Sequence, residues 1–237
     1  MKKTTFDYDG DGCLSEGYVA YDECISGKRP CVLICHAWGG QGEPERRRAD
    51  LVAESGYVGF AIDIYGKGIR GDLYQANAHL MQPFLDDRKK LRQRLVAAVK
   101  AAQSLAQVDA NRLAVIGWGF GGLCALDLAR SALEEVKGVV SFYGPFDPPN
   151  LPQLRTTTKI LIHQGYEDPI VPTSKIFMVA DELTMAGADW RIQIYGKAKH
   201  AFNSRGANLP EQGILYNPEA AQRSAELTEM FLKEVLC

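Results

Sequence analysis

Two residues in the second half of the chain have the types and the order expected of an acid–base pair. Asp168 follows the apolar run Ile160–His163, and His200 follows the alternating run Trp190–Tyr195. A histidine whose ring is oriented by a carboxylate can act as a general base on a hydroxyl, a thiol or a water molecule. Either residue alone is more simply explained as a loop residue. Because both follow predicted strands, we interpret them together as an acid–base pair.

A glycine-rich turn earlier in the chain provides the position at which such a pair would meet a nucleophile. Residues 117–121, Gly-Trp-Gly-Phe-Gly, lie between the apolar run Leu113–Ile116 and a predicted helix. This spacing is typical of the strand-to-helix elbow of α/β-hydrolases, in which a nucleophile stands between two glycines and precedes the acid and the histidine along the chain. Gly117 and Gly121 match the flanking positions, but the middle residue, Gly119, has no side chain.

The same turn also fits the G-x-G-x-x-G pattern of dinucleotide-binding proteins when residues 117–122 are taken together. Such a site requires an acidic residue at the end of the next strand, where it binds the ribose hydroxyls. The next predicted strand, Val139–Phe142, ends without one, and Glu134 and Glu135 precede that strand. Dinucleotide binding is therefore the less favoured interpretation, and no cofactor is expected.

Two further motifs are interpreted as turns. Residues 7–12, Asp-Tyr-Asp-Gly-Asp-Gly, resemble the first half of a calcium loop, but Tyr18 occupies the position at which the loop needs a bidentate glutamate. Residues 66–71 also fit G-x-G-x-x-G, but Asp72–Gln75 after them is not clearly helical, as a pyrophosphate site would require. The six cysteines show no Cys-x-x-Cys spacing, so no metal site is expected.

The elements that must position the candidate residues alternate along the chain. Short apolar runs predict buried strands, and segments with apolar residues at helical spacing predict helices. Thr4–Tyr8 and Gly17–Tyr21 flank a Gly-Asp-Gly turn and predict an antiparallel hairpin. The predicted strands are Val32–Cys35, Val58–Ile62, Leu113–Ile116, Val139–Phe142, Ile160–His163 and Trp190–Tyr195, the last near an edge, and the predicted helices are Arg46–Gly56, Asp86–Leu105, Gly121–Arg130, Ser174–Ala186 and Pro218–Leu236.

This alternation predicts the fold class. It is typical of a mostly parallel sheet with helices on both faces, so we expect an α/β protein with an N-terminal antiparallel hairpin. No linker, repeat or low-complexity segment interrupts residues 1–237, so a single domain is expected. Open α/β sheets place their sites at the carboxyl ends of the strands, where Gly119, Asp168 and His200 would all lie.

Composition and charge exclude several function classes. The 237 residues carry a formal net charge of −2, and 46% of them are hydrophobic. No strong field is available to attract nucleic acid or anionic lipid, and no apolar run approaches the roughly 20 residues of a membrane span. A chain of this length does not need disulfides, so a reducing cytoplasm is expected. Glycine is in excess, since the 23 glycines among 237 residues are about 9.7% of the chain, against a usual share of about 7%.

Taken together, these residues resemble the dienelactone hydrolase family of α/β-hydrolases. The likeness runs from Cys35–Gly40, through Ala61–Gly66 and the elbow, to Asp168 and His200, and it covers most of the chain. In that family a cysteine stands at the middle of the elbow, and the histidine, assisted by the aspartate, activates it. The resemblance implies substrates with ester or lactone bonds in small cyclic or aromatic-derived acids.

The resemblance also implies an oxyanion site, and it exposes two departures. The oxyanion donors would be the backbone N–H groups of Trp38 and Phe120. Ala37 stands where several family members have a glutamate, and Gly119 stands where the family has its cysteine. The change at Gly119 removes covalent catalysis, because no backbone group can form an acyl-enzyme.

Neither nearby cysteine is expected to replace the missing nucleophile. Cys124 lies in the predicted helix after the elbow, and Cys35 lies in a predicted buried strand. Buried cysteines in apolar surroundings are usually inert packing residues. Both side chains are therefore expected to be structural.

Three interpretations of the function stay open. The chain is a family hydrolase whose cysteine has been changed to glycine, or it is a non-catalytic protein that binds a small carboxylate or ester in the former active site. In the third interpretation, His200, held by Asp168, acts as a general base on a water molecule above Gly119.

Substrate contacts and assembly are also predicted. Arg205, five residues after His200, is a candidate partner for a substrate carboxylate, and Arg70 and Tyr143 are further candidates for substrate binding. The expected ligand is a small ester or lactone, and neither nucleic acid nor a membrane is an expected partner. The chain is expected to be a monomer or a homodimer in the cytoplasm.

Overall fold

An eight-stranded sheet forms the centre of the computed structural model, which describes residues 1–71, 77–152 and 154–237. Its strands are β1 (Lys2–Asp9), β2 (Leu14–Tyr21), β3 (Arg29–Cys35), β4 (Val58–Ala61), β5 (Val108–Trp118), β6 (Val136–Phe142), β7 (Lys159–Gly165) and β8 (Trp190–Tyr195). Their order across the sheet is β1-β2-β4-β3-β5-β6-β7-β8. The predicted position of Trp190–Tyr195 at an edge is confirmed.

The predicted hairpin forms the other edge of the sheet. β1 and β2 pair antiparallel, with Lys2 opposite Tyr21, and β2 continues antiparallel onto β4. From β4 to β8 all neighbouring strands are parallel. The aspartate-rich motif of residues 7–12 forms the end of β1 and the hairpin turn, in which the Gly12 N–H donates to the Asp9 carboxylate at 2.7 Å.

Helices cover both faces of the sheet, as predicted for an α/β fold. Because successive strand residues point to opposite faces, Val32 packs with the helices at residues 43–54 and 218–236, whereas Leu33 packs with the core under the helices at residues 88–104, 120–130 and 176–185. Within the described ranges, no helix has both the length and the apolar character needed to cross a membrane. The helices are α1 (Glu43–Glu54), α2 (Ala78–Asp86), α3 (Arg88–Ser104), α4 (Phe120–Arg130), α5 (Ile176–Met185) and α6 (Pro218–Leu236).

Helix starts differ from the prediction where turn geometry decides them. α1 begins three residues before Arg46, because Pro44 fits the first helical turn and Glu45 bonds back to the N–H of Gly42 at 3.0 Å. The helix predicted from Ser174 begins as a short 3₁₀ turn, Thr173–Lys175, before α5. α6 spans the predicted residues.

Three short elements were not predicted. The helix α2 contains Pro83 and precedes α3, the long helix that the amphipathic pattern predicts. Two strands of two residues, β9 (Asn208–Leu209) and β10 (Ile214–Leu215), pair antiparallel after β8. Residues 66–71 form a loop, as predicted, and the Asp72–Gln75 segment, interpreted as not clearly helical, lies outside the described residues.

Candidate active site

The three residues predicted to form the reaction centre converge at one edge of the sheet. Gly119 follows β5, Asp168 lies three residues after β7, and His200 lies five residues after β8. Because these strands are parallel, their carboxyl ends lie at the same edge, which we call the carboxyl edge. Ligands of open α/β sheets bind at such an edge.

Asp168 is buried and its carboxylate is fully used. One oxygen accepts the backbone N–H groups of Ile170 and Val171 at 2.8 and 3.0 Å. The other oxygen accepts Nδ1–H of His200 at 2.9 Å and the side-chain amide of Gln164 at 3.2 Å. Four donors therefore hold the carboxylate in one orientation toward the imidazole.

His200 is held so that one ring nitrogen stays available. Because the Asp168 carboxylate is an acceptor, the imidazole proton lies on Nδ1, and Nε2 carries a lone pair. Nε2 has no hydrogen-bond partner among the described residues, and the side chain is 14% exposed. The backbone of His200 is fixed by the carbonyl of Gly213 and the N–H of Leu215, at 2.9 and 3.1 Å. The ring centroid of Tyr143 lies 4.7 Å from that of His200.

Gly119 forms the sharp turn from β5 into α4. Its φ of 54° and ψ of −115° lie in a region that residues with side chains rarely adopt. Its N–H donates to the Phe142 carbonyl at 3.0 Å, and its carbonyl accepts the Leu123 N–H at 3.1 Å. Among the described residues, and apart from the two adjoining ones, a Cβ atom placed on Gly119 would have one neighbour within 4 Å, Nε2 of His200 at 3.9 Å. The space where a nucleophile would stand is thus open and faces the base.

The flanking glycines of the elbow are required by packing. A Cβ atom on Gly117 would lie 1.9 Å from the Gly121 carbonyl oxygen, and one on Gly121 would lie 2.3 Å from the carbonyl oxygen of Cys35. Neither position can hold a side chain without moving the backbone. These contacts explain the tight elbow that the sequence predicts.

The turn after β3 carries the first predicted oxyanion donor, the N–H of Trp38. The carbonyl of the same peptide, from Ala37, accepts Nδ1–H of His36 at 2.7 Å and the Gly40 N–H at 3.2 Å. Because N–H and C=O point in opposite directions in a trans peptide, the Trp38 N–H points away from both donors. The Trp38 carbonyl is fixed by the hydroxyl of Tyr65 at 3.0 Å.

His36 is buried and was not predicted as a site residue. Its Nε2 accepts the Ile64 N–H at 3.1 Å, so its proton must lie on Nδ1, which donates to Ala37. Burial lowers the pKa of His36, which favours this neutral form. The second predicted donor, the N–H of Phe120, belongs to the first residue of α4 and therefore has no acceptor inside the helix.

The three residues predicted to contact the substrate, Tyr143, Arg70 and Arg205, have different surroundings in the structure. Tyr143 lies beside His200, and its buried hydroxyl donates to Asn203 at 2.7 Å. Arg70 already has several partners: its guanidinium forms an ion pair with the buried Asp63 at 3.4 Å and donates to the carbonyls of Gly66 and Ile69 and to the side chain of Gln41.

Arg205 is exposed on the turn before β9, and no described residue forms an ion pair with it.

The two cysteines near the elbow, Cys35 and Cys124, are fully buried, and burial raises the pKa of both thiols. Within the described residues, no cluster of three or more His, Cys, Asp or Glu side chains could hold a metal ion.

A tight elbow after a central parallel strand, with an aspartate–histidine pair on the ends of later strands, is the arrangement found in the α/β-hydrolase class. Within that class, the chain belongs to the dienelactone hydrolase family, whose model matches residues 16–236. The resemblance predicted from the sequence is therefore confirmed.

Individual relatives support the same assignment. The chain is 30% identical to a probable 2-oxo-3-(5-oxofuran-2-ylidene)propanoate lactonase of Bradyrhizobium, over 95% of this chain and 93% of that protein. It is 34% identical to an uncharacterized protein of Caenorhabditis elegans, over 63% of this chain and 96% of that protein. Its fold matches a dienelactone hydrolase-like promiscuous phosphotriesterase from metagenomic libraries with a TM-score of 0.90 and 27% identity, over 100% and 99% of the two chains.

Proposed function

We propose that this dienelactone hydrolase-like scaffold hydrolyses small carboxylic esters or lactones slowly, through a water molecule that His200 activates directly. The observation that carries the proposal is the open space at Gly119, which the free nitrogen of His200 faces at 3.9 Å from the Cβ position. A water molecule in this space would lie between the base and the substrate carbonyl. The lactonase relative from Bradyrhizobium supports a lactone as substrate.

The hydrolytic step uses the chain's own groups. Nε2 of His200 takes a proton from the water molecule, and the hydroxide oxygen forms a bond to the carbonyl carbon. The carbonyl electron pair moves onto oxygen, where the N–H groups of Trp38 and Phe120 stabilise it. When the carbon–alkoxy bond breaks, the leaving oxygen takes the proton from His200. Asp168 stabilises the imidazolium that forms between these two transfers.

The same proposal includes the remaining predictions, which concern the domain, the substrate contacts, the cellular location and the assembly. Residues 1–237 act as one domain, and Tyr143 shapes the site beside His200. Arg205 and Arg70 remain predicted substrate contacts, and the existing bonds of Arg70 to Asp63, Gln41 and two backbone carbonyls favour a positioning role for that residue. The cytoplasmic location and the choice between monomer and homodimer remain predictions.

The decisive experiment restores the nucleophile. Gly119→Cys should raise the hydrolysis of a small aryl ester or an enol lactone by about 100-fold or more, because removing a nucleophile usually costs at least that much. Gly119→Ala is the matched control, since it adds the same Cβ atom and the same backbone strain without a thiol. Initial rates of both variants and of the parent chain should be compared at equal concentration.

The parent chain itself tests the water mechanism. His200→Ala should lower its slow hydrolysis by about 100-fold, or to background, because a positioned base typically contributes that much. An unaffected rate would contradict direct activation of water. A folded Gly119→Cys variant that is no faster than Gly119→Ala would overturn the hydrolase proposal and would favour ligand binding without turnover.

A further inference from the structure

The groups around Gly119 are sufficient for a reaction that needs no nucleophile. We propose that the same site transfers a proton between two carbon atoms of a small unsaturated lactone, converting a β,γ-unsaturated lactone into its conjugated α,β-unsaturated isomer. The inference relies on the roles given above to His200, Trp38 and Phe120, but it does not require that the chain hydrolyse anything.

The position of the base carries the first step of the argument. Nε2 of His200 faces the open space, and the Cβ position of Gly119 lies 3.9 Å from it. A substrate carbon in that position is at van der Waals contact, and a small approach brings it to the roughly 3–3.5 Å at which proton transfer is productive. A cysteine or alanine side chain would occupy this volume, whereas glycine leaves it to the substrate.

The charge that develops in this reaction falls on the same atom as in hydrolysis. Removing a proton from the carbon next to a lactone carbonyl moves negative charge onto the carbonyl oxygen. As in the proposed hydrolysis, the N–H groups of Trp38 and Phe120, together with the N-terminus of the eleven-residue helix α4, would stabilise charge there. A base and an oxyanion site without a nucleophile are the groups that enolising enzymes use.

The proton and the electrons balance without a co-reactant. Nε2 of His200 takes the proton from the α-carbon, and the electrons of that C–H bond form the dienolate. The imidazolium, stabilised by Asp168 at 2.9 Å, then returns the proton to the γ-carbon, and the double bond moves into conjugation with the carbonyl. Neither water nor an oxidant or reductant is consumed.

The residue at position 119 would then decide between two reactions. With glycine, the substrate carbon can approach the base, and the carbonyl carbon meets no thiol. With cysteine, a thiolate fills the space and attacks the carbonyl carbon. Isomerisation and rapid hydrolysis should therefore change in opposite directions on Gly119→Cys.

One substrate can report both reactions. α-Angelica lactone is a β,γ-unsaturated lactone, so ¹H NMR in deuterated buffer measures deuterium uptake at the α-carbon, formation of the conjugated isomer, and release of 4-oxopentanoate by hydrolysis. The parent chain, His200→Ala, Gly119→Ala and Gly119→Cys are compared at equal concentration. Thermal melting of each protein checks that the variants are folded.

We expect the parent chain to exchange and isomerise the lactone about 100-fold faster than His200→Ala. Gly119→Ala should lower both rates by about tenfold, because its methyl group fills the substrate position. Gly119→Cys should lower isomerisation and raise hydrolysis.

Equal exchange rates for the parent chain and His200→Ala would overturn the proposal, even if Gly119→Ala failed to fold. Unchanged exchange in a folded Gly119→Ala would overturn it as well, since the space would then be irrelevant. Exchange without hydrolysis in the parent chain would contradict the proposed hydrolysis and support proton transfer. Hydrolysis without exchange would contradict the proposed proton transfer and support the proposed hydrolysis.

Discussion

At the carboxyl edge, Gly117 and Gly121 have no room for a side chain, whereas Gly119 between them does. The hypothetical Cβ atoms of the two flanking glycines would lie 1.9 and 2.3 Å from backbone oxygens, but the nearest described atom to that of Gly119 is Nε2 of His200, at 3.9 Å. Three glycines in five residues therefore have two different causes. The flanking positions are glycine because of packing, and the middle position is glycine for a reason that packing does not supply.

The histidines near this edge also differ from one another, in whether both ring nitrogens are hydrogen-bonded. Both ring nitrogens of His36 are used, by Ala37 and Ile64. Both nitrogens of His163 are used as well, at 2.9 Å from the hydroxyl of Tyr195 and 3.1 Å from that of Thr228. His200 alone among these three has a free nitrogen, which faces the space at Gly119.

We call Gly117, Gly121, His36 and His163 the packed frame, and Gly119 with Nε2 of His200 the open centre. In the packed frame each group has a specific neighbour, so a substitution there should act on the free energy of unfolding. In the open centre few contacts are lost, so a substitution should act mainly on chemistry and should lower the free energy of unfolding less than a substitution in the packed frame does. This contrast can be tested by measuring stability and activity at both regions.

The largest stability effect is expected at the flank of the elbow. Gly117→Ala places a methyl group 1.9 Å from the Gly121 carbonyl oxygen, so strand β5 and helix α4 must move apart. Overpacking of this kind should lower the free energy of unfolding by about 3 kcal/mol or more. Chemical denaturation followed by circular dichroism measures the change.

Gly196→Ala is a suitable control for the loss of a glycine. No atom of the described residues, beyond the two adjoining ones, lies within 4 Å of the Cβ position of Gly196, so this variant should be neutral or slightly stabilising. Equal stability of Gly117→Ala and Gly196→Ala would show that the packed frame can accommodate an added methyl group. The contrast between the packed frame and the open centre would then be contradicted.

The next effect is a dependence of stability on pH. The hydroxyl of Thr228 donates to the Ser224 carbonyl, so it accepts Nε2–H of His163, and the Tyr195 hydroxyl donates to Nδ1. The side chain of His163 is thereby satisfied in its neutral form, and burial lowers its pKa from 6.5 to about 3. Below pH 6.5 the unfolded chain therefore binds a proton that the folded chain does not.

Stability should consequently be full above about pH 6.5 and fall as the pH is lowered toward 3. Each pH unit costs about 1.4 kcal/mol per proton, so His163 should account for a loss of roughly 2–3 kcal/mol between pH 6.5 and 4.5. His163→Gln should lower stability at neutral pH but flatten this slope by about one proton. Parallel slopes for the two proteins would contradict a neutral, buried His163.

Most of the fold could be predicted from local sequence. The strands are short apolar runs and the long helices are amphipathic, so their periodicity indicates them directly. Pairing of Asp168 with His200 was predictable because the order of the residues and the ends of parallel strands place them together. Helix α2 was missed because Pro83 interrupts a short helical pattern.

Other parts of the site depend on contacts that no local pattern indicates. Gln164 donates to the Asp168 carboxylate, and His36 orients the peptide that carries the Trp38 N–H. Both contacts depend on the turn that follows a strand. The turn after β7 brings Asp168 back to Gln164, and the turn after β3 places the Ala37 carbonyl beside the His36 ring. His36 lies within the segment on which the family resemblance rests, but that segment alone does not reveal which carbonyl its ring meets.

The smallest stability effect, and the sharpest test of the contrast, is expected at Gly119. Among the described residues, the methyl group of Gly119→Ala would approach His200 alone, so its cost is the backbone strain of a φ of 54°, about 1–2 kcal/mol. For a chain of this size, that corresponds to a fall in Tm of roughly 2–8 °C. The loss should be well below that of Gly117→Ala, although both variants add the same atom to the same turn. A loss at Gly119 as large as that at Gly117 would mean that the space facing His200 is closed, because the backbone could not hold a Cβ atom there. Neither direct activation of water nor proton transfer from a substrate carbon could then take place at this position.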